Sequence, residues 1–346
     1  MKTPAAILVE QRRPLELAEV EIPALGFGQV LVELRTSRIC GSQLGEIDGV
    51  KGPDKWLPHL LGHEGGGIIR EVGPEVTQVR PGDHVVLHWR QGAGIQSRAP
   101  VYDWNGRRVN AGYVTTFNHW AVVSENRLTK IPANFDLEIA ALLADTLTTG
   151  FGVINRDAAV RIGESVVLFG AGGIGSGVLL GAKLAGAHPI VAVDLHAHKL
   201  DQARAFGATH TFRADTPQLD DAIRAIVGPA GADVVVDGTG RPEVIERCYA
   251  LTQPHGRTVL FGVMPHDKRV TIHTLPLHHG KMLTGSEGGG SQPADDIPRL
   301  VRMIRDGRFD PKPMVTHRGP LSAVNDLIAR LRAGEVLHAI LHFPST

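Results

Sequence analysis

Near the start of the chain, three residues able to hold a metal stand against glycine: Cys40 in Cys40-Gly41-Ser42, and His63 and Glu64 in Gly62-His63-Glu64-Gly65-Gly66-Gly67. Glycine lets a backbone come close to an ion. A thiolate, an imidazole and a carboxylate are enough to hold a catalytic zinc with one position left open. Among 17 histidines a single His would mean little, and a lone cysteine is more often buried packing, which is how Cys248 reads. A second constellation lies in Val166–Asp194. The apolar run Val166-Val167-Leu168-Phe169 stops at Gly170-Ala171-Gly172-Gly173-Ile174-Gly175. Val178, Leu179, Ala182, Leu184 and Ala185 recur at helical spacing, and the run Pro189 to Val193 ends at Asp194. Strand, G-x-G-x-x-G turn, helix, strand and acid make a dinucleotide site: glycines admit a pyrophosphate to a helix N-terminus, and Asp194 accepts from a ribose 2′-hydroxyl.

Composition narrows the setting. Lys plus Arg and Asp plus Glu are balanced at 36 each, so no charge excess points to nucleic acid or to a solvating tail. Charged residues interrupt every apolar run in the first twenty positions, and nowhere do 18 apolar residues follow one another. The expectation is a cytoplasmic protein with no membrane span and no nucleic-acid partner. Two cysteines exclude a disulfide framework and any four-cysteine metal site within one chain.

The elements that position these groups divide by period. Val30–Leu34, Gly67–Val72 and His84–Leu87 are short β-branched runs bounded by Gly, Pro and Asp, as in an irregular β domain. Between Trp89 and Gly112 the periodicity disappears, and the stretch, with Arg90, Arg98, Arg107 and Arg108, reads as a long surface loop with a solvated face. Leu137 to Leu147 is helical. After Asp194 the alternation of strand and helix continues to Thr284 and totals six strands, a complete doubly wound sheet, with Val270–Thr274 outside the count as an edge or interface strand. Helices near Asp295–Arg305 and Ala323–Leu331 and a strand at Ala339–Leu341 form a tail that returns to the first domain. The expected domains are 1–147, completed by 290–346, and 148–289.

Taken in order, Cys40-Gly41-Ser42, Gly62-His63-Glu64, the turn Pro81-Gly82-Asp83-His84-Val85, Asp145-Thr146-Leu147-Thr148-Thr149-Gly150, and the glycine turn with Asp194 resemble the zinc-dependent alcohol dehydrogenases of the medium-chain dehydrogenase/reductase superfamily over nearly the whole length. The resemblance implies an α/β chain with a GroES-like irregular β catalytic domain and a doubly wound parallel-sheet Rossmann domain. It also implies one catalytic zinc per subunit held by Cys40, His63 and Asp145, with Glu64 able to enter or leave the zinc shell, and a homodimer or homotetramer. In that reading NAD is the cofactor, an alcohol, polyol or sugar-derived hydroxyl is oxidised to an aldehyde or ketone, and Ser42 takes the proton. Gly170, Gly172, Gly173, Ile174 and Gly175 meet the pyrophosphate, Asp194 and Lys199 the adenosine ribose side, Thr149 the nicotinamide, and His338 the place of an arginine near the phosphates. Trp89 and Phe117 match pocket-lining positions.

Departures from the family are equally legible. Residues 89–112 lack the four cysteines of a structural zinc, Gln43 stands where many members carry an aspartate, and Gly45 where many carry a relay histidine, leaving Glu46 or His59 as outer proton acceptors. Two other functions compete: a zinc-free quinone or enone reductase of the same fold, which leaves Cys40, His63, Glu64 and Asp145 without a task, and a nucleotide-binding protein that has lost catalysis.

Overall fold

In the computed structural model, which describes residues 1–345, strand Gln29–Ile39 is buried along nearly all of its length because both its edges are paired. Gly65–Val72 runs antiparallel along one edge. The other edge is shared, with Trp120–Ser124 on its first half and His338–His342 on its second. A strand covered in this way must be apolar where it meets the core, and Val30, Val32, Leu34 and Ile39 lose essentially all exposure, each such side chain contributing about 1.5–3 kcal/mol. The sheet runs Leu128–Ile131, His84–Leu87, Gly65–Val72, Gln29–Ile39, His338–His342, Val315–Pro320. A small closed barrel of Lys2–Leu8, Glu16–Glu21, Val101–Trp104, Arg107–Asn110 and His59–Leu60 adjoins it in the same compact unit, Met1–Asp145 with the chain from Gln292 onward.

The second unit, Thr146–Ser291, holds a parallel sheet in the order His210–Arg213, Ile190–Asp194, Val166–Phe169, Ala232–Asp237, Thr252–Leu260, Met282–Gly285. The order reverses direction at Val166–Phe169, where a doubly wound sheet opens its ligand crevice. Helices Gly173–Leu184, Ala197–Ala205, Leu219–Val227 and Pro242–Leu251 connect the strands. The two units together are the GroES-like and Rossmann-type folds expected from the resemblance.

Two expectations are corrected. Residues 89–112 are not all loop: Val101–Trp104 and Arg107–Asn110 form an antiparallel hairpin. Its turn is Asn105-Gly106, both at positive φ (53° and 82°), the backbone twist that two-residue hairpins favour. Arg107 packs over the Trp104 ring, so the arginine content hid the alternation of the strands. Val270–Thr274 forms no strand. The helical run Leu137–Asp157 is long and apolar enough to cross a membrane by composition, yet 89% of its most apolar window is buried, as for a core helix.

Candidate functional site

Cys40 stands between strand Gln29–Ile39 and helix Gly41–Asp48, as the N-cap of the helix. His63 and Glu64 follow Gly62, whose φ of +88° suits glycine; a Cβ there would lie 2.3 Å from Thr116 Oγ1. Asp145 sits in a single π-helical turn, Leu143–Leu147, a local widening often found where a helix presents a functional side chain. These four residues, distant in sequence, bring one thiol, one imidazole and two carboxylates together with donor atoms all within 4.8 Å of one another. His63 Nε2 lies 3.7 Å from both Asp145 Oδ2 and Glu64 Oε1. Among the described residues this is the one cluster of three or more potential ligands.

Sequence reasoning missed the cation that faces this cluster. Arg38, buried, pairs through Nη1 with Glu64 Oε1, bonds the Cys40 side chain, and donates from Nε to His338 Nδ1 at 2.6 Å. The available signal was strand period: Arg38 and Cys40, two apart, share a face. Burial would lower the Arg38 pKa, but Glu64, Cys40 and Asp145 raise it. Burial pushes the Cys40 thiol up, and Arg38 and then His63 outweigh it, bringing the thiol down to about 6. Glu64 is held well above the usual carboxylate range by burial and by the Cys40 and Asp145 charges, against the pull of Arg38. Burial works against the His63 imidazolium, yet hydrogen bonds to Asp145 and Cys40 raise it well above its ordinary value. A pocket that presses a thiol, two carboxyl groups and an imidazole together in a buried space is one that a divalent cation relieves, and the mixed S, N and O donor set fits zinc.

Around the four, Trp89 donates its indole N–H to Asp145 Oδ1 at 3.1 Å. Gln43 accepts from the Cys40 backbone N–H and reaches His63 Nδ1. Ser42 is exposed beside them, its Oγ 3.3 Å from Gln43 Nε2. His59 is engaged at both ring nitrogens, with Asp54 Oδ2 and the Leu60 carbonyl, and Glu46 is half-buried. Two residues that the resemblance singles out lie inside the fold. His338 is fully buried behind Arg38, and burial, then the Arg38 charge, hold its pKa well below the ordinary value, so it meets the guanidinium as a neutral acceptor. Phe117 has no exposed surface and belongs to the core around Leu34 and Leu61.

In the second unit Gly170 has φ +95°, Gly172 caps helix Gly173–Leu184, and a Cβ on Gly175 would lie 2.2 Å from the Gly170 carbonyl oxygen. No atom stands within 4 Å of the place a Gly172 Cβ would take, so the approach to the helix N-terminus is open there. A turn of this shape could hold a pyrophosphate at backbone N–H groups. Asp194 ends the next strand, its Oδ2 accepting from Ala171 N and its Oδ1 from His196 N, both at 2.9 Å, which fixes the carboxylate at the crevice edge. Ile174 lies in the first turn of the helix, Lys199 is half-buried on Ala197–Ala205, and Thr149 is buried on Thr148–Gly152.

Comparison with known proteins agrees with this geometry. A family described as alcohol dehydrogenase GroES-like domain matches residues 26–133, and one described as zinc-binding dehydrogenase matches residues 173–306. An alcohol dehydrogenase class-3 of Cereibacter sphaeroides is 30% identical, over 99% of this chain and 100% of that one. An S-(hydroxymethyl)glutathione dehydrogenase of Paracoccus denitrificans is also 30% identical, with the same coverage. Among solved structures, an alcohol dehydrogenase zinc-binding domain protein from Burkholderia ambifaria superposes with TM-score 0.92 at 27% identity, covering 100% of both chains. The benzyl alcohol dehydrogenase of Acinetobacter calcoaceticus superposes with TM-score 0.89 at 26% identity, covering 99% of this chain and 100% of that one.

Proposed function

The chain belongs to the zinc-containing alcohol dehydrogenases of the medium-chain dehydrogenase/reductase superfamily, and from that premise we propose how its residues divide the oxidation of an alcohol by NAD. The observation that carries the reading is the convergence of Cys40, His63, Glu64 and Asp145. Cys40, His63 and Asp145 would hold one zinc, their two negative charges matching its own, while Glu64 stays paired with Arg38. Bound zinc supplies a Lewis acid that favours the ionised form of the substrate hydroxyl, and bound NAD supplies the hydride acceptor. Ser42, exposed next to the ligand set, takes the hydroxyl proton and passes it toward solvent. Trp89 restrains Asp145 through its indole N–H, and Arg38 restrains Glu64 with His338 behind it. Asp194 accepts from the adenosine ribose and repels a 2′-phosphate, and the open glycine turn admits the pyrophosphate to backbone N–H groups.

A zinc-free reductase of the same fold has no use for the four-donor cluster, so the cluster favours the zinc enzyme. The substrate is a small alcohol, its product an aldehyde or ketone. We assign the protein to the cytoplasm as a homodimer or homotetramer, for which light scattering is the check. The deciding experiment measures zinc per chain together with NAD reduction across simple alcohols, benzyl alcohol, 2,3-butanediol, polyols and S-(hydroxymethyl)glutathione. One zinc per chain and turnover of at least one alcohol are expected, with zinc lost in Cys40→Ala/Asp145→Ala. Ser42→Ala should lower the rate of the chemical step roughly 10²-fold or more, the scale of a lost general base. Zinc retained in the double variant, or an unchanged step in Ser42→Ala, would remove the corresponding assignment.

A further inference from the structure

Each carboxyl group of the ligand cluster has one oxygen already engaged by a donor from outside the cluster. Glu64 Oε1 takes Nη1 of Arg38, and Asp145 Oδ1 takes the indole N–H of Trp89 at 3.1 Å. Asp145 Oδ2 is the oxygen turned to its fellow ligands, 3.7 Å from His63 Nε2. An indole N–H only donates, and a carboxyl oxygen accepts from it whether or not the group carries a proton elsewhere, so this contact does not depend on how the metal-free cluster titrates.

The donor is itself fixed. His88, fully buried, donates its backbone N–H to the Arg127 carbonyl at 3.0 Å, and its ring nitrogens meet the Arg90 carbonyl at 2.8 Å and Thr129 Oγ1 at 2.9 Å. Those bonds anchor the residues on both sides of Trp89. The Arg90 guanidinium lies over the indole, 5.4 Å from its centre, and the ring packs against the core of the β domain. Asp145 is carried from the other side by the π-helical turn Leu143–Leu147.

A carboxylate grips a cation with one oxygen or with both. To use both, Asp145 must turn Oδ1 away from Trp89 and leave the indole N–H without its partner. With Oδ1 kept by Trp89 and Glu64 kept by Arg38, the cluster offers three donor atoms, Cys40 Sγ, His63 Nε2 and Asp145 Oδ2. Three protein ligands leave a catalytic zinc one position open.

We propose that Trp89 is the positioning residue that limits Asp145 to a single metal-binding oxygen, and so reserves one coordination position for the substrate hydroxyl. The proposal rests on the zinc reading above.

The test adds cobalt(II), in place of zinc, to the metal-free full chain. Its visible absorption is intense with four ligands and weaker with five, and it needs no turnover. Wild type should be four-coordinate. Trp89→Phe keeps an aromatic ring and lacks the N–H, and its cobalt bands should lose intensity as Oδ1 joins the metal, a change that a merely structural Trp89 would not bring. Equal intensities in the two proteins, or a five-coordinate wild type, overturn the proposal. A second measurement needs no variant: in ultraviolet resonance Raman spectra, zinc loading should leave the N–H-sensitive bands of the four tryptophans in place, and a shift toward a weaker hydrogen bond overturns the proposal. Asp145→Ala separates the two readings. If it binds cobalt with the wild-type spectrum, the ligand assignment itself has failed; if its spectrum changes while that of Trp89→Phe does not, only the role of Trp89 has failed.

Discussion

Replacing Arg38 with methionine keeps the apolar volume of the side chain and removes the cation facing Glu64. Both partners are buried, Arg38 with 3% and Glu64 with no side-chain exposure. Breaking a buried pair from one side costs about 3–5 kcal/mol, because the carboxyl group that stays loses its guanidinium where water does not reach. At about 2–4 °C per kcal/mol for a domain of this size, the metal-free variant should melt roughly 6–20 °C below wild type. The deficit depends on pH with a definite sign. Glu64 is already raised in the folded protein by burial and by the Cys40 and Asp145 charges, and losing Arg38 raises it further. An acid raised on folding binds a proton in the native state that the unfolded chain has released, so stability is full below the unfolded value and falls as pH climbs toward the folded one. The Arg38→Met deficit should therefore be smallest in mild acid and largest in mild alkali. Scanning calorimetry of metal-free protein across that range measures it, with Arg38→Met/Glu64→Gln as the control that deletes the stranded charge. A single variant that melts with wild type in alkali, or a double variant no more stable than the single, would refute the reasoning.

In metal-free protein the Cys40 thiolate should appear with a midpoint near 6, since Arg38 and His63 outweigh burial; thiolate absorbance against pH, corrected with Cys40→Ser, tests this, and a midpoint at the ordinary thiol value of about 8.5 would contradict it. Asp194→Ala removes a charged acceptor from the ribose, about 1.5–3 kcal/mol or roughly 10–150-fold in NAD affinity, and lifts the repulsion of a 2′-phosphate; the ratio of kcat/KM for NAD over NADP should fall, and an unchanged ratio would place the ribose elsewhere. Glu125, fully buried, accepts from Thr77, Gln78 and Ile95 backbone N–H groups at 2.6–2.7 Å and pins the stretch that has no cysteines to bind a structural zinc. Glu125→Gln turns an NH₂ toward at least one of these donors, so hydrogen exchange around Ile95 should rise while zinc content stays at one per chain; unchanged exchange there would mean the loop is held by other contacts.

What the sequence determined by itself was whatever lies within one continuous stretch. Strand, glycine turn, helix and Asp194 are neighbours in the chain, and their spacing specifies one βαβ unit before any tertiary contact is known. The glycines around Cys40 and His63, with the family resemblance, likewise marked the ligands, because a metal site leaves residue types that few other sites need. Tertiary structure alone decided the rest. Arg38 meets Glu64 and His338 across separations of 26 and 300 residues, and it does so because His338–His342 pairs with the second half of Gln29–Ile39 in one register. A slip of one residue would turn Arg38 to the other face. The hairpin within residues 89–112 was hidden for a related reason: its buried residues are only Tyr102 and Val109, set among charged neighbours, and its strands are completed by barrel partners, Glu21 and His59, distant in sequence. Gln43 was visible as a departure from the family, but its contacts were not, since only the fold brings the Cys40 N–H and the His63 ring to either side of one amide.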